Sequence, residues 1–386
     1  MRDGTAQPAS APIGVRSQLK GKPKGAAPDR SASVTTVSSL STGADPNVVG
    51  PYLANVLGDS AWAESEVGLI SGGKSNLTYL VTSAAGRVVL RRPPLGHILA
   101  TAHDVAREHR VIAGLAGTGV PVPDALHLCT DEAVLGAPFL VMEYVEGPIA
   151  RDGLPAGYAD APAERRAIAD ALVDTLATLH AVEPGAVGLG GFGRPEGYLT
   201  RQVSRWVRQW EATPSDPLPE LDDLAKTLAA SVPDGASGPI VHGDFRLDNT
   251  VLDPQQPGRI AAVLDWEMST LGDPLADLGL MLVYWAQADD GPTRRSAVLV
   301  SQTTRLDGFP TRAEVAARYG AASGRDLSTL PWYVAFGCFK LAVVVAGVAA
   351  RAKAGAMVGD GFAGAGDALA PLVTLGHETL RADAVD

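Results

Sequence analysis

Residues 240–251 read Ile-Val-His-Gly-Asp-Phe-Arg-Leu-Asp-Asn-Thr-Val, and the fold is decided here. Apolar residues flank a polar loop in which His242, Asp244 and Asn249 take the spacing H-x-D-x-x-x-x-N. That spacing has a physical logic. A carboxylate can accept the proton of an attacking hydroxyl, and an amide oxygen five residues on can hold a metal ion beside phosphates. Further along, the apolar run Ala261-Ala-Val-Leu ends in Asp265, followed by Trp266 and Glu267. A carboxylate at the end of a buried strand is suited to Mg²⁺ bridging the β- and γ-phosphates of a nucleotide. Singly, each feature has a bland reading: Asp244 and Asn249 could shape a turn, and Asp265 could cap a helix. In this order, between apolar runs, they point to chemistry.

Upstream the rhythm is that of strands. EVGLI, LTYLVT and RVVLRR lie between Ala63 and Arg92, with a hairpin turn at Ser83-Ala84-Ala85-Gly86. A short helix over Val48–Leu57 precedes them. His103–Leu115 reads as another helix, with Val105, Ile112 and Leu115 near one face. Ala125–Cys129 and Pro138–Tyr144 complete a small antiparallel sheet. Beyond Gly147 the texture becomes helical: Ala163–His180 carries Ile168, Leu172, Leu176 and Leu179 at helical spacing, Leu199–Trp210 and Leu221–Ala230 follow, and helices return up to Leu380. The pattern predicts an α+β chain of two lobes. Residues 46–145 form a small, β-rich, nucleotide-binding lobe, and residues 146–386 form a larger, mainly helical lobe for catalysis and acceptor binding. Residues 1–45, rich in Ser, Ala, Gly, Pro and Thr, predict a disordered extension without the apolar core of a signal peptide.

Gly68-Leu-Ile-Ser-Gly-Gly73-Lys74-Ser75 matches the pattern G-x-x-x-x-G-K-[ST] letter for letter. That pattern works when a helix N-terminus follows and aims its amides at phosphate. Here the β-rich Asn76–Thr82 follows, so the expectation is a glycine-rich turn between strands. Gly72, Gly73, Lys74 and Ser75 would lie over the nucleotide phosphates. Arg91 at the end of Val88-Val89-Leu90 offers a cation to those phosphates, and Glu108 on the next helix is the anion to orient it. Phe139–Val145 would supply the strand and hinge that meet the base, around Glu143 and Val145.

Composition excludes several classes. The formal net charge of −11 repels nucleic acid and anionic membranes. Two cysteines, Cys129 and Cys338, make neither a disulfide framework nor a zinc site, and read as buried thiols of a cytoplasmic protein. The most apolar run, Leu341–Ala350, is shorter than the roughly 20 residues a spanning helix requires and reads as a buried helix closed by Lys340 and Arg351.

HGDFRLDN and VLDWEMSTLGDPLADLG resemble the signatures of the aminoglycoside phosphotransferase and choline kinase superfamily, which has a protein-kinase-like, two-lobed fold. GGKSNLTYLV, VVLRRPP, AREHRVI, LVMEYVEG and GDPLADLG are most similar to the phosphotransferase module sometimes fused to acyl-CoA dehydrogenases. The resemblance covers roughly Gly50–Glu378. It implies Asp244 as catalytic base, Asn249 and Asp265 as Mg²⁺ ligands, and His242 and Asp277 as supports of the loop, with Glu267 either near the metal or facing solvent. It also implies ATP and Mg²⁺ as cofactors. The partner would be a small-molecule hydroxyl acceptor, either a metabolite such as a hydroxyacyl compound or an antibiotic such as an aminoglycoside. An aminoglycoside pocket would draw on acids such as Asp216, Glu220, Asp222 and Asp223. Arg91 departs from the lysine many kinases carry, and a guanidinium does not reproduce a lysine contact. A nucleotide-binding pseudokinase is the alternative. A protein kinase is disfavoured because no A-P-E segment follows Asp265.

Overall fold

The structure is a computed structural model that describes residues 43–70, 76–95, 104–151, 153–235, 238–297, 302–353 and 365–382. Helix α1 (Pro46–Leu57) starts where Asp45 accepts a hydrogen bond from the Asn47 amide and a proline sits in the first turn. Strands β1 (Glu66–Leu69), β2 (Leu77–Ser83) and β3 (Gly86–Arg92) then run antiparallel, with Ser83 opposite Gly86 across the expected turn. After α2 (Val105–Leu115) come β4 (Ala125–Cys129), the single turn α3 (Glu132–Leu135) and β5 (Phe139–Glu143). β5 inserts between β3 and β4, giving a five-stranded sheet in the order β1-β2-β3-β5-β4.

Alternation along β3 sorts its side chains between two layers. Val88 and Leu90 join Val49, Leu53, Tyr79, Val81 and Phe139 in a core under α1. Val89 falls on the opposite face, in the larger core that includes Val111, Ile112 and Leu115 of α2. Arg91 shares this second face with Val89, which aims its guanidinium at α2 rather than α1.

The rest of the chain is mainly helical. α4 (Pro162–Ala181), α5 (Tyr198–Glu211) and α6 (Pro219–Ala230) precede four short strands, β6 (Ile240–Val241), β7 (Thr250–Leu252), β8 (Ile260–Val263) and β9 (Thr270–Leu271). β6 pairs with β9 and β7 with β8, both antiparallel. These two pairings lay residues 242–249 against residues 264–269. α7 (Pro274–Tyr284), α8 (Pro292–Ala297), α9 (Arg312–Ser323), α10 (Leu330–Lys353) and α11 (Leu369–Arg381) close the structure.

α10 is longer than the apolar run at Leu341–Ala350 suggested. At 24 residues it is long and apolar enough to cross a membrane, yet 67% of its apolar window is buried inside the fold, as in a core helix. Lys340 does not close the helix. It lies mid-helix, with its amine turned to the Gly243 carbonyl at 2.7 Å. Cys129 and Cys338 are buried free thiols.

The α7–α10 crossing depends on Gly279, where a Cβ would stand 2.6 Å from the Tyr333 carbonyl carbon and 2.7 Å from its oxygen. Backbone cannot yield as a flexible side chain does. We expect Gly279→Ala to lower stability by about 1–3 kcal/mol, read as a reduced denaturant midpoint, with an unchanged midpoint contradicting this account of the crossing.

Candidate active site

Asp277, in the first turn of α7, organises the loop that follows β6. Its buried carboxylate accepts hydrogen bonds from the amides of His242 (2.6 Å) and Gly243 (2.7 Å). Burial alone would raise its pKa, but the hydrogen bond and charge of His180, together with His242, outweigh that and hold it below the usual carboxylate value. Its stabilising effect is therefore present above the ordinary carboxylate range and lost as pH falls through the lowered folded value. Gly243 has φ 86°, and a Cβ there would stand 2.7 Å from the Met268 carbonyl, so the residue after His242 is glycine for steric reasons.

His242 is fully buried. Nε2 donates to the Leu264 carbonyl (2.9 Å) and Nδ1 accepts from the Asp244 amide (3.2 Å), a pattern that fixes one neutral tautomer. The ring also packs against Trp266, with centroids 4.6 Å apart. It ties the loop to the strand that ends at Asp265.

Asp244 is partly open to solvent, with 22% side-chain exposure. Asn249 Nδ2 donates to its carbonyl (2.9 Å) and its Oδ2 (3.1 Å), and Arg246 Nε lies 3.4 Å from the same oxygen. With its nitrogen so engaged, Asn249 retains its side-chain oxygen as a donor to a cation. The Leu264 amide donates to the Asn249 carbonyl (2.8 Å), which sets Asp265 beside the loop. Asp265 adopts φ 68° and ψ 58°, left-handed for a residue with a Cβ, at a cost of about 1–3 kcal/mol. It makes no side-chain cap to the turn that follows.

Arg91 reaches this point from the sheet. Its Nε is 3.2 Å from Glu108 Oε2, and its Nη2 is 2.5 Å from Asp265 Oδ1 and 3.1 Å from Glu267 Oε2. Glu267 also accepts from Asn76 Nδ2 at 2.9 Å. Burial would lower the Arg91 pKa, but the three carboxylates outweigh it and raise it above its ordinary value. Burial pushes Glu108 up, and the charges of Asp265 and Glu267 add to this, with Arg91 offsetting only part.

Residues 66–332 match the family described as the phosphotransferase enzyme family, APH. The chain belongs to it. Acyl-CoA dehydrogenase family member 10 of Mus musculus is 36% identical over 305 residues, covering 79% of this chain but 28% of that protein. The chain thus spans less than a third of that relative. A Ralstonia eutropha crystal structure assigned to the aminoglycoside phosphotransferases has a TM-score of 0.73 at 32% identity, covering 87% of this chain and 98% of the other. The APH(4)-Ia ternary complex with AMP-PNP and hygromycin B shares the fold, with a TM-score of 0.54 at 15% identity over 85% of this chain and 98% of the other. The fold is the two-lobed, protein-kinase-like one.

Within this phosphotransferase fold, His242, Asp244, Asn249, Asp265, Arg91 and Glu108 come together. Gly72, Gly73, Lys74 and Ser75 lie outside the described residues. Strand β2 begins at Leu77 just beyond them, where a P-loop would need a helix. Glu143 ends β5, its amide donating to the Asp124 carbonyl (2.9 Å), and the chain passes through Val145 to Pro148, whose carbonyl accepts from the Leu252 amide (2.9 Å). Asp216, Glu220, Asp222 and Asp223 are exposed on and before α6, where Asp222 accepts from Trp210 Nε1 (2.7 Å) and Asp223 pairs with Lys226 (3.2 Å). Sequence reasoning passed over Arg246, Asn76 and Lys340. The signal for Lys340 was a lone cation within an apolar helix.

Mg²⁺ fits these residues. Asn249 and Asp265 are hard oxygen donors, and the Asp265 side chain, 35% exposed beside Arg91, stays open to a cation. No group of three or more His, Cys, Asp or Glu suited to a metal occurs among the described residues. Mg²⁺ does not require one, because it commonly takes one or two carboxylates, substrate phosphates and water.

The raised Glu108 pKa gives a test with a definite sign. Below that value Glu108 is neutral and resembles glutamine, and above it the Arg91–Glu108 attraction is complete. Glu108→Gln should match wild type in nucleotide affinity at acidic pH and bind more weakly as pH rises, as measured by calorimetry across the pH range. A deficit independent of pH would remove Glu108 ionisation from the account.

Proposed function

We propose that the chain transfers the γ-phosphoryl group of ATP, in the presence of Mg²⁺, to a hydroxyl of a small anionic molecule. Residues 46–145 would take the nucleotide and residues 146–386 the acceptor. The observation that carries this reading is the convergence of Asp244, Asn249 and Asp265 on one face beside the Arg91–Glu108 pair, in a member of a phosphotransferase family.

Each residue then has a task. Asp244 takes the acceptor's hydroxyl proton on its carboxylate as the new O–P bond forms and the γ-phosphorus separates from the β-phosphate oxygen. Asn249 orients that carboxylate through its amide nitrogen. Asn249 and Asp265 would hold Mg²⁺, which when bound neutralises the charge building on the phosphates. Arg91, braced by Glu108, supplies a fixed cation at the end of the sheet. The pseudokinase alternative finds no support in a site where Asp244, Asn249 and Asp265 are all present.

The acceptor's charge follows from what flanks Asp244. Arg246 lies 3.4 Å from its carboxylate and also pairs with Asp248 (3.3 Å), while its Nε donates no hydrogen bond among the described residues. Lys340 caps the Gly243 carbonyl, and Lys340 and Arg205 both lie near the Trp206 ring, at 5.6 and 5.7 Å from its centroid. A polycationic aminoglycoside would meet like charge here, whereas a hydroxy acid or hydroxyacyl thioester would meet its complement. The acids that could serve an aminoglycoside sit on α6 instead.

Asp244→Asn should keep MgATP binding by calorimetry and lose about 10²–10⁴ in turnover; turnover equal to wild type would remove Asp244 as base. In an ADP-release screen, hydroxy acids and hydroxyacyl thioesters should stimulate the enzyme where aminoglycosides and macrolides do not. Aminoglycoside-dependent release abolished by Asp244→Asn would reverse the assignment of acceptor charge.

A further inference from the structure

Arg107 immediately precedes Glu108 on α2, and the two side chains reach neighbouring parts of one segment. Glu108 faces Arg91 and, through it, Asp265. Arg107 reaches past them. Its Nη2 donates to the carbonyls of Phe192 (2.6 Å) and Ser269 (3.0 Å), and its Nε donates to the Ser269 carbonyl as well (3.3 Å). The guanidinium also lies over the Phe192 ring, 3.9 Å from its centroid. A fork of fixed donors is needed to hold carbonyls from two separate segments at once, and an ammonium does not reproduce it.

Both carbonyls belong to segments without slack. Phe192 is buried, and a Cβ on its neighbour Gly193 would stand 2.4 Å from Thr270 Oγ1 and 2.7 Å from the Leu271 amide, so this loop lies tightly on β9. Ser269 closes the turn that begins after Asp265, with its amide (3.1 Å) and hydroxyl (2.7 Å) both donating to the Trp266 carbonyl. Trp266 in turn donates from Nε1 to the Val263 carbonyl at 2.9 Å. Asp265 sits between these anchors in its left-handed conformation, and α2 packs directly on the turn. A left-handed residue with a Cβ persists only where its surroundings over-determine it. The Arg107 contacts supply the anchor at the downstream end.

We infer that Arg107 is a positioning residue for Asp265: by gripping Ser269 and Phe192 it holds the 266–269 turn so that the Asp265 carboxylate is presented to Mg²⁺. The inference rests on the Mg²⁺-dependent reading given above. Arg107 touches neither metal nor nucleotide in this scheme. Its effect passes through the turn.

Wild type, Arg107→Ala and Arg107→Lys would be titrated with AMP-PNP by calorimetry over a series of Mg²⁺ concentrations, with thermal midpoints recorded alongside. Arg107→Ala should raise the Mg²⁺ needed for half-maximal nucleotide binding about tenfold, the scale seen when a residue supporting a metal ligand is lost, and leave Mg²⁺-free nucleotide affinity unchanged. Arg107→Lys, which keeps the charge but not the fork, should fall between, and it carries the test if the alanine variant does not fold. Hydrogen exchange without ligand should quicken at residues 266–271 in either variant. An unaltered Mg²⁺ requirement, with wild type binding normally, overturns the inference and leaves the phosphotransfer reading intact. Failure of wild type to bind nucleotide with Mg²⁺ sinks that reading instead, and unchanged exchange at 266–271 then overturns the positioning role independently.

Discussion

The Arg91 guanidinium joins the sheet to the loop that carries Asp265. Arg91 is carried on β3, and its carboxylate partners come from α2 and from the segment after β8. Bringing a charge out of water costs several kcal/mol per ion, so each of these groups is tolerable only while the others remain in place. Glu108 meets the guanidinium from the buried side, and Asp265 and Glu267 meet it from the loop side. In the Mg²⁺-dependent reading, the buried pair Arg91–Glu108 would set where the metal held by Asp265 lies relative to the sheet. Arginine in place of lysine suits this setting, since one planar head can address Glu108 on its Nε edge and Asp265 and Glu267 from Nη2.

A second constraint holds the loop itself. Asp277 is spent inside the fold: two amides of the 242–243 segment and the His180 ring meet its carboxylate, with Tyr319 behind His180. His242, spent on Leu264 and on the Asp244 amide, has no proton to exchange with a substrate in this arrangement. The division is clear in exposure: His242 and Asp277 are sealed, whereas Asp244 and Asp265 open to solvent. Rigidity below the surface lets two partly exposed carboxylates keep fixed places.

The sheet, its hairpin and the 242–249 loop were legible because their signals are local. Alternation sets a strand's faces, and the H-x-D-x-x-x-x-N spacing lies within eight residues. Glu108 was legible too, since a helix after β3 brings its first turn back toward that strand. The contacts that escaped are long in sequence: Asn76 meets Glu267 across 191 residues, Arg107 meets Ser269 across 162, and Lys340 meets Gly243 across 97. Nothing in the local pattern of AREHRVI says that its first arginine grips a turn in another part of the chain. The length of α10 was underestimated for a related reason. Its first half mixes aromatic residues, glycine and a lysine, a composition that hides burial when no partner helix is in view.

This asymmetry bears on function. The nucleotide and metal side is written in short motifs, because phosphate and Mg²⁺ demand the same few groups whatever the acceptor. The acceptor side proposed here would draw on α5, the loop after β6 and the middle of α10, elements joined only by folding. Arg246 lies 3.4 Å from the Asp244 carboxylate while also pairing with Asp248 (3.3 Å), and Lys340 holds the neighbouring Gly243 carbonyl. In the proposed reading these cations would meet an anionic acceptor beside Asp244, a preference of which the motifs that identify the family carry no trace.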